Sequence, residues 1–485
     1  MSNPLRFLYF YQLTLLQLEN YDVGRFFNII VKSGGIRFEQ LRTKLVWTSK
    51  LKTVVTVSAI LQIATFVMIV IGLRGEFESV IVWILSCIFI GIFLFWGTFI
   101  FLLFSIVILS PLDRLLKWYV IRCAKQKMRN YENLVIVGIA GSYGKTTMKE
   151  AISAVLSQKL SVLKTPENIN TPLGISQLIL EKLHENVQVF VVEMGEYYRG
   201  DIQDICSIVM PDISVVTGIN EAHLERLGSL RVTTETIFEI VQNKKKEGFI
   251  VINADDIYVR ENYKRFVKDG DIELYSSHKN GKSDVGITDT YFHQDGTGLS
   301  FTISYQGQKK RMKIPFLGDY IFGVIRASAK IGLRLGLTFP QIVAGIGTLS
   351  PFPHRLQPIQ SQRDVLIIDD SYNGNPNGVE EAIQTLEKFT KRRKLYVTPG
   401  LVEIGEESTR VHQDIGRKLG KVAHLVLLVR NSVTPYISKG LEKSGFDTKK
   451  ILWFENASVL FQEIQHISRS GDVILFQNDW PENYL

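Results

Sequence analysis

Two long apolar runs dominate the first quarter of the chain. Residues 53–73 and 79–112 carry no charge at all. A bilayer core of roughly 30 Å is crossed by about 20 apolar helical residues, so each run is long enough to span. The second exceeds one upright span and falls short of two, and either tilt or an interfacial extension near Ser110-Pro111 would absorb the excess. This predicts a two-span helical hairpin with spans near 53–73 and 79–110. An amphipathic helix over 111–131 follows, with Leu112, Leu115, Leu116, Tyr119 and Val120 set against Arg114, Lys117, Arg122 and Lys125. Residues 5–31 read as a second amphipathic segment.

From residue 134 onward the pattern changes. Short β-branched runs alternate with stretches of helical periodicity. Residues 134–140, 187–193, 213–219 and 249–253 read as buried parallel strands. Residues 284–315 alternate, with glycine turns, and read as a small antiparallel flap. A second series runs through 365–369, 394–398, 425–429, 451–454 and 473–476. The fold class is therefore α/β, with a helical hairpin and then two doubly wound domains. The expected divisions are a membrane anchor over 1–133, a central α/β domain over 134–349 and a Rossmann-like domain over 350–485.

Charge sharpens this division. The formal excess of +8 comes from 56 Lys+Arg against 48 Asp+Glu. Residues 1–133 hold 15 and 7 of these, which leaves 41 and 41 for 134–485. The basic excess flanks the apolar runs, which favours a membrane surface and gives no reason to expect nucleic acid. Eight Lys/Arg precede the first run and six follow the second, while the turn between them holds only Arg74. The positive-inside rule then places both long ends in the cytoplasm and makes the chain a multi-pass protein of the cell membrane. The three cysteines are far apart and form no C-x-x-C zinc motif.

The sharpest chemical signal is Gly138-Ile139-Ala140-Gly141-Ser142-Tyr143-Gly144-Lys145-Thr146-Thr147. It follows an apolar strand and opens a helix with Met148, Ile152, Val155 and Leu156 on one face. That is the setting of a phosphate-binding loop. Gly141, Ser142, Gly144 and Thr147 would turn backbone N–H groups toward an anion at a helix N-terminus. Lys145 can bridge terminal phosphates of ATP, and the Thr146 hydroxyl can ligate Mg²⁺. Ile139 stands where the strict pattern has glycine. Glu193 ends a buried strand, a natural Mg²⁺ position. Asn168, Asn253, the Ala222-His223-Leu224 segment, His354-Arg355, the run Asp369-Asp370-Ser371-Tyr372-Asn373-Gly374-Asn375-Pro376, and Glu403-Ile404-Gly405 with Ser408 and His412 follow in order.

That order over residues 134–476 resembles the Mur ligase family, ATP-dependent amide ligases of peptidoglycan precursor synthesis. The Asp-Asp-Ser-Tyr-Asn-x-Asn-Pro and Glu-Ile-Gly runs are most similar to the branch that adds D-alanyl-D-alanine to a muramyl tripeptide. The resemblance implies that a substrate carboxylate attacks the γ-phosphate of ATP and that an amine then attacks the acyl phosphate. It gives Lys145, Glu193, His223 and Arg355 catalytic roles. Thr146, Glu193 and His223 would serve Mg²⁺. Asn253 would face the adenine, Asp370 the ribose and Arg355 the phosphates. Asn168, Asn373, Asn375 and Glu403 would lie on the substrate side.

Four departures from the family pattern stand out. Ile237 occupies the place of a lysine whose carbamate helps hold a second metal, so that Glu235 or Glu239 becomes a candidate replacement. The segment Gly318-Asp319-Tyr320-Ile321-Phe322-Gly323-Val324 lacks two asparagines. Gln477-Asn478-Asp479-Trp480 replaces a Lys-Gly-Ser-Arg type segment. The hairpin stands in the place of the domain that binds the UDP-sugar. The expected partners are accordingly membrane lipids, a muramyl-peptide or lipid-linked acid, and an amino acid or dipeptide donor. Two alternatives remain at this point: a ligase for another envelope-polymer carboxylate, and a non-catalytic tethered scaffold.

Overall fold

The computed structural model describes residues 4–19, 21–32, 45–73, 79–167, 169–221, 224–278, 284–360, 364–371, 374–401 and 404–478. The chain divides into two units, with the change at Tyr119/Val120.

In the first unit, two helices among the described residues are long and apolar enough to cross a membrane by length and composition, Ser49–Leu73 and Thr98–Met128. The uncharged run 79–112 is not one span followed by a separate amphipathic helix, as the sequence predicts. It is divided at Gly97 into Val80–Trp96 and the start of Thr98–Met128, which continues through Pro111 to residue 128. Glycine is a weak helix former, and the break falls there. Pro111 removes one backbone donor inside the second helix but does not end it. The segment 5–31 forms two helices, Pro4–Leu18 and Val23–Lys32. Leu13, Leu16 and Phe26 are fully buried and share a core with Leu51, Val54 and Leu102. Gln62 Nε2 donates to Thr98 Oγ1 at 2.9 Å, satisfying a polar pair between two apolar helices.

The described residues of the second unit form three sheets. The first has six strands, all parallel, in the order Val162–Lys164, Val189–Glu193, Val135–Ala140, Ile213–Val216, Phe249–Asn253, Ile272–Tyr275. The Val189–Glu193 strand is buried along its whole length, as expected of a central strand covered on both faces. Ile121, Ala124 and Met128, at the end of the long helix, pack into the core on one face of this sheet. Lys127 Nζ donates to Ile179 O at 2.8 Å, so this stretch is docked on protein. The flap is present as a three-stranded antiparallel sheet over 286–314. Its inner residues Phe301 and Ile303 pack with Ile321, Phe322 and Ile325 of helix Tyr320–Arg334.

The last sheet has the order Gln357–Gln360, Leu366–Asp370, Asp472–Gln477, Arg393–Thr398, Leu425–Val429, Ile451–Phe454. It is parallel except for the Gln357–Gln360 edge strand. In each of the two sheets the parallel strands end on a common edge, with Glu193 and Asp370 as the last residues of their strands.

Candidate active site

The strand Val135–Ala140 delivers the loop 141–144 to the N-terminus of helix Lys145–Leu156. Gly141 and Gly144 have φ of 146° and 78°, the region an L side chain rarely adopts. A Cβ on Gly141 would collide with the Thr217 hydroxyl and the Gly218 backbone. Thr217 Oγ1 in turn donates to Tyr143 O at 2.5 Å, and Ser142 N donates to Gly218 O at 2.7 Å. Tyr143 Oη donates to Asp256 Oδ2 at 2.7 Å. The loop is thus held by the next strand before any ligand arrives. Ser142 Oγ is buried and makes no hydrogen bond. A buried hydroxyl left unsatisfied costs free energy, so an anion that engages it recovers that cost. A nucleotide phosphate fits these residues.

Two lysines and two glutamates meet beside the loop. Lys145 Nζ lies 3.0 Å from both oxygens of Glu196 and also donates to Gly141 O. Glu193, ending its strand, accepts from Thr146 Oγ1 at 3.3 Å through Oε1. Its Oε2 stands 3.1 Å from Lys149 Nζ, an ion pair without a directed hydrogen bond. Lys149 is 0% exposed and Glu196 1%. The Thr146 hydroxyl and Glu193 carboxylate, two hard oxygen donors side by side, fit a Mg²⁺ carried with nucleotide phosphates.

A cavity of about 580 Å³ opens from Tyr143, Gly144 and Thr147 toward the last domain. Asn253, Tyr320, Arg326, Arg355 and Asp370 also line it. Asn253 donates to Thr217 O at 2.6 Å, which fixes its amide. Arg326, 5% exposed, donates to Ser276 O at 2.5 Å, and burial pulls its guanidinium below the usual range.

Arg355 sits between two non-glycine residues in the left-handed region, His354 at φ 63° and Leu356 at φ 42°. Such residues cost about 1–3 kcal/mol each and persist only when their surroundings enforce them. Here neighbouring carboxylates do so. His354 Nδ1 pairs with Asp369 Oδ2 at 2.7 Å, and Leu356 N donates to Asp370 Oδ1 at 3.0 Å. His354→Ala is expected to raise the KM for ATP about tenfold by releasing Arg355. His354→Asn, which tolerates positive φ and can still reach Asp369, is expected to keep it near the original value. Steady-state kinetics of the two variants check this.

Asp370 has both oxygens engaged, since Gln477 Nε2 donates to Oδ2 at 2.7 Å. Burial pushes its carboxyl up to about 6, against the hydrogen bonds from Gln477 and Leu356 that favour the charged form. The unfolded chain ionises near its ordinary value of about 3.9. The folded chain therefore takes up the proton first as pH falls. The charged carboxylate costs stability above pH 6, and the cost disappears as pH falls from 6 toward 4. Gln477 Oε1 is buried without a partner, so an amide at 370 could donate to it once Gln477 turns over. Asp370→Asn is expected to stabilise the protein at pH 8 by about 2 kcal/mol, with the gain vanishing near pH 4 in urea melts.

Several expected site residues have other duties. Asn375 caps helix Pro376–Glu387, accepting from Gly378 N at 3.0 Å, and also accepts from Asn220 Nδ2 at 2.9 Å. Glu239 does not face a metal position. Its two oxygens accept from Gly200 N at 3.0 Å and Gln203 N at 2.9 Å, capping helix Asp201–Cys206. Glu235 is held among Arg231, Arg199 and Arg265. Ile237 is fully buried in the core. Asn168, His223, Asn373 and Glu403 lie outside the described residues. His412 accepts from Leu401 N at 2.9 Å through Nε2 and turns Nδ1 to Ser408 O. That tautomer is neutral, and burial pushes its pKa down.

Sequence reasoning missed Lys149, Glu196 and Arg326. A signal existed for Lys149, which follows Met148 on the buried side of the helix. A lysine there demands a carboxylate partner. Glu196 lies three residues past Glu193 at the same strand end. Arg326 left no signal apart from standing on the apolar helix Tyr320–Arg334.

Residues 139–323 match the Mur ligase middle domain and residues 354–477 match the Mur ligase glutamate ligase domain. The UDP-N-acetylmuramoyl-tripeptide–D-alanyl-D-alanine ligase of Bacillus subtilis is 27% identical over 70% of this chain and 72% of its own length. That of Escherichia coli is 30% identical over 58% of this chain and 61% of its own. Among solved structures, the MurF ligase of Thermotoga maritima in complex with ADP superposes with a TM-score of 0.65 at 27% identity, over 75% of this chain and 80% of that one.

Proposed function

The chain belongs to the Mur ligase family through its middle and C-terminal domains, and we propose that it is a membrane-anchored ATP-dependent amide ligase that adds D-alanyl-D-alanine to a muramyl-peptide precursor of peptidoglycan. The observation that carries this reading is the pre-formed phosphate loop with its unsatisfied Ser142 hydroxyl, opening into a cavity shared with Arg355 and Asp370 of the last domain.

Each residue has work in that reaction. The loop amides and the helix N-terminus take the terminal phosphates, and Lys145 neutralises charge as the γ-phosphoryl group leaves ADP. Mg²⁺ held by Thr146 and Glu193 would add further charge neutralisation. Arg355 reaches the same cavity from the other domain, so phosphate contact and domain closure are one event. Closure excludes water from the acyl phosphate, whose acyl carbon then accepts the amine while inorganic phosphate departs.

A second reading of the acceptor rests on the two long apolar helices, which precede the matched domains in this chain. They favour a lipid-linked muramyl peptide at the inner leaflet over a soluble nucleotide-linked one. The test is phosphate release by detergent-solubilised full-length protein given ATP, D-alanyl-D-alanine and either UDP-muramyl-tripeptide or its lipid-linked counterpart. Release that needs donor and acceptor together supports the ligase, and the acceptor that works identifies the reading. Folded protein that binds no nucleotide at all would end both.

A further inference from the structure

Glu196 is absorbed by none of the roles above. It lies at the strand end three residues beyond Glu193, it is 1% exposed, and both of its oxygens stand 3.0 Å from Lys145 Nζ. We propose that Glu196 is the internal counter-ion of the phosphate loop, an anion of the protein's own that holds the lysine in the nucleotide-free chain and that nucleotide must exchange against. This rests on the reading of the loop as a nucleotide site.

The geometry confines the carboxylate. Just before it, Gly195 N donates to Asn170 O at 2.8 Å, and a Cβ at Gly195 would meet Asn170 O at 2.9 Å. Just after it, Tyr197 N and Tyr198 N donate to Asp201 Oδ2 at 3.0 and 2.7 Å. The backbone is pinned on both sides and the side chain is 1% exposed, so the carboxylate reaches water only by leaving its packed site. A lysine ammonium carries three donors but a single unit of charge, so a carboxylate that already balances that charge competes with an incoming phosphate for it. Binding a nucleotide therefore trades one buried charge pair for another and leaves a carboxylate near the incoming phosphates. Like charges in a poorly solvated place repel strongly.

The consequence is specific. Glu196 neutralises Lys145 beside the loop, and this resident anion weakens nucleotide affinity. Glu196→Gln keeps the shape, removes the charge and frees Lys145. Calorimetric titration of the full-length protein with ADP in EDTA is expected to show the variant binding at least tenfold more tightly than the original chain. Lys145→Ala is expected to bind more weakly than either.

Unchanged or weaker ADP binding by Glu196→Gln, with the original chain binding measurably, overturns the proposal alone. Absence of ADP binding by both folded proteins overturns the nucleotide reading and this one with it. Should Glu196→Gln fail to fold, Glu196→Asp draws the charge back by one methylene. It is expected to tighten ADP severalfold, and no change there overturns the proposal equally.

Discussion

Replacing Lys145 by alanine is expected to abolish ATP turnover, by at least about a thousandfold, and to destabilise the protein as well. The first effect follows, in the proposed reaction, from the loss of the lysine that would neutralise the transferred phosphoryl group. The second follows from what it leaves behind. Glu196 is 1% exposed, and losing one member of a buried pair strands the other charge at a cost of about 3–5 kcal/mol. Lys145→Ala combined with Glu196→Gln is therefore expected to melt closer to the original chain while remaining inactive. Thermal melts alongside phosphate-release assays separate the two consequences. A Lys145→Ala protein as stable as its parent would show that the pair carries no structural weight.

Lys149→Met is the second large effect. Lys149 is 0% exposed and touches Glu193 at 3.1 Å. Methionine fills nearly the same volume, so packing changes little and the loss is electrostatic. Glu193 is then left with Thr146 Oγ1 and the buried strand end, at a cost of about 3 kcal/mol. A Mg²⁺ carried in with nucleotide can take over as counter-ion, so the deficit is expected to shrink when Mg²⁺ and ADP are added together. Activity is expected to fall as well, because Glu193 loses the contact that directs Oε1 toward Thr146. Urea melts with and without Mg²⁺·ADP check the first point, and an equal deficit in both conditions would remove Lys149 from any connection with the metal position.

The strands with unbroken β-branched runs were legible because burial on both faces leaves a continuous apolar signature. Three edge strands were not, although the edge strand Ile451–Phe454 was. Val162–Lys164, Ile272–Tyr275 and Gln357–Gln360 are short, partly exposed and mixed in polarity, and pairing with a neighbour defines them. The phosphate loop was legible because its glycines, lysine and threonines must be local in sequence. The buried face Met148, Ile152, Val155 and Leu156 also came through, since helical periodicity reports it directly. What could not be read was pairing. Nothing in spacing alone sends Lys145 to Glu196, Lys149 to Glu193, or Glu239 to the start of a helix 39 residues earlier. The division of 79–112 at Gly97 was hidden for a related reason, because an uninterrupted apolar run carries no periodic mark of where one helix ends.

The contact across the two catalytic domains has its own consequence. Asn220 Nδ2 reaches Asn375 Oδ1 at 2.9 Å and Asn377 Oδ1 at 3.0 Å, so one part of the seam is made of carboxamides. Arg410 and Glu221 add a charged bond at 3.2 Å, with the arginine more than half exposed. Carboxamides neither titrate nor attract counter-ions, whereas an exposed ion pair is screened by salt. Added salt should therefore weaken the ion pairs of the seam, Arg410–Glu221 and Lys388–Asp319, and leave its carboxamide contact alone. The carboxamide contact is indifferent to acidity, whereas Asp370, held near 6 by burial, puts a bend of its own into the pH–rate curve beside those of the reacting groups.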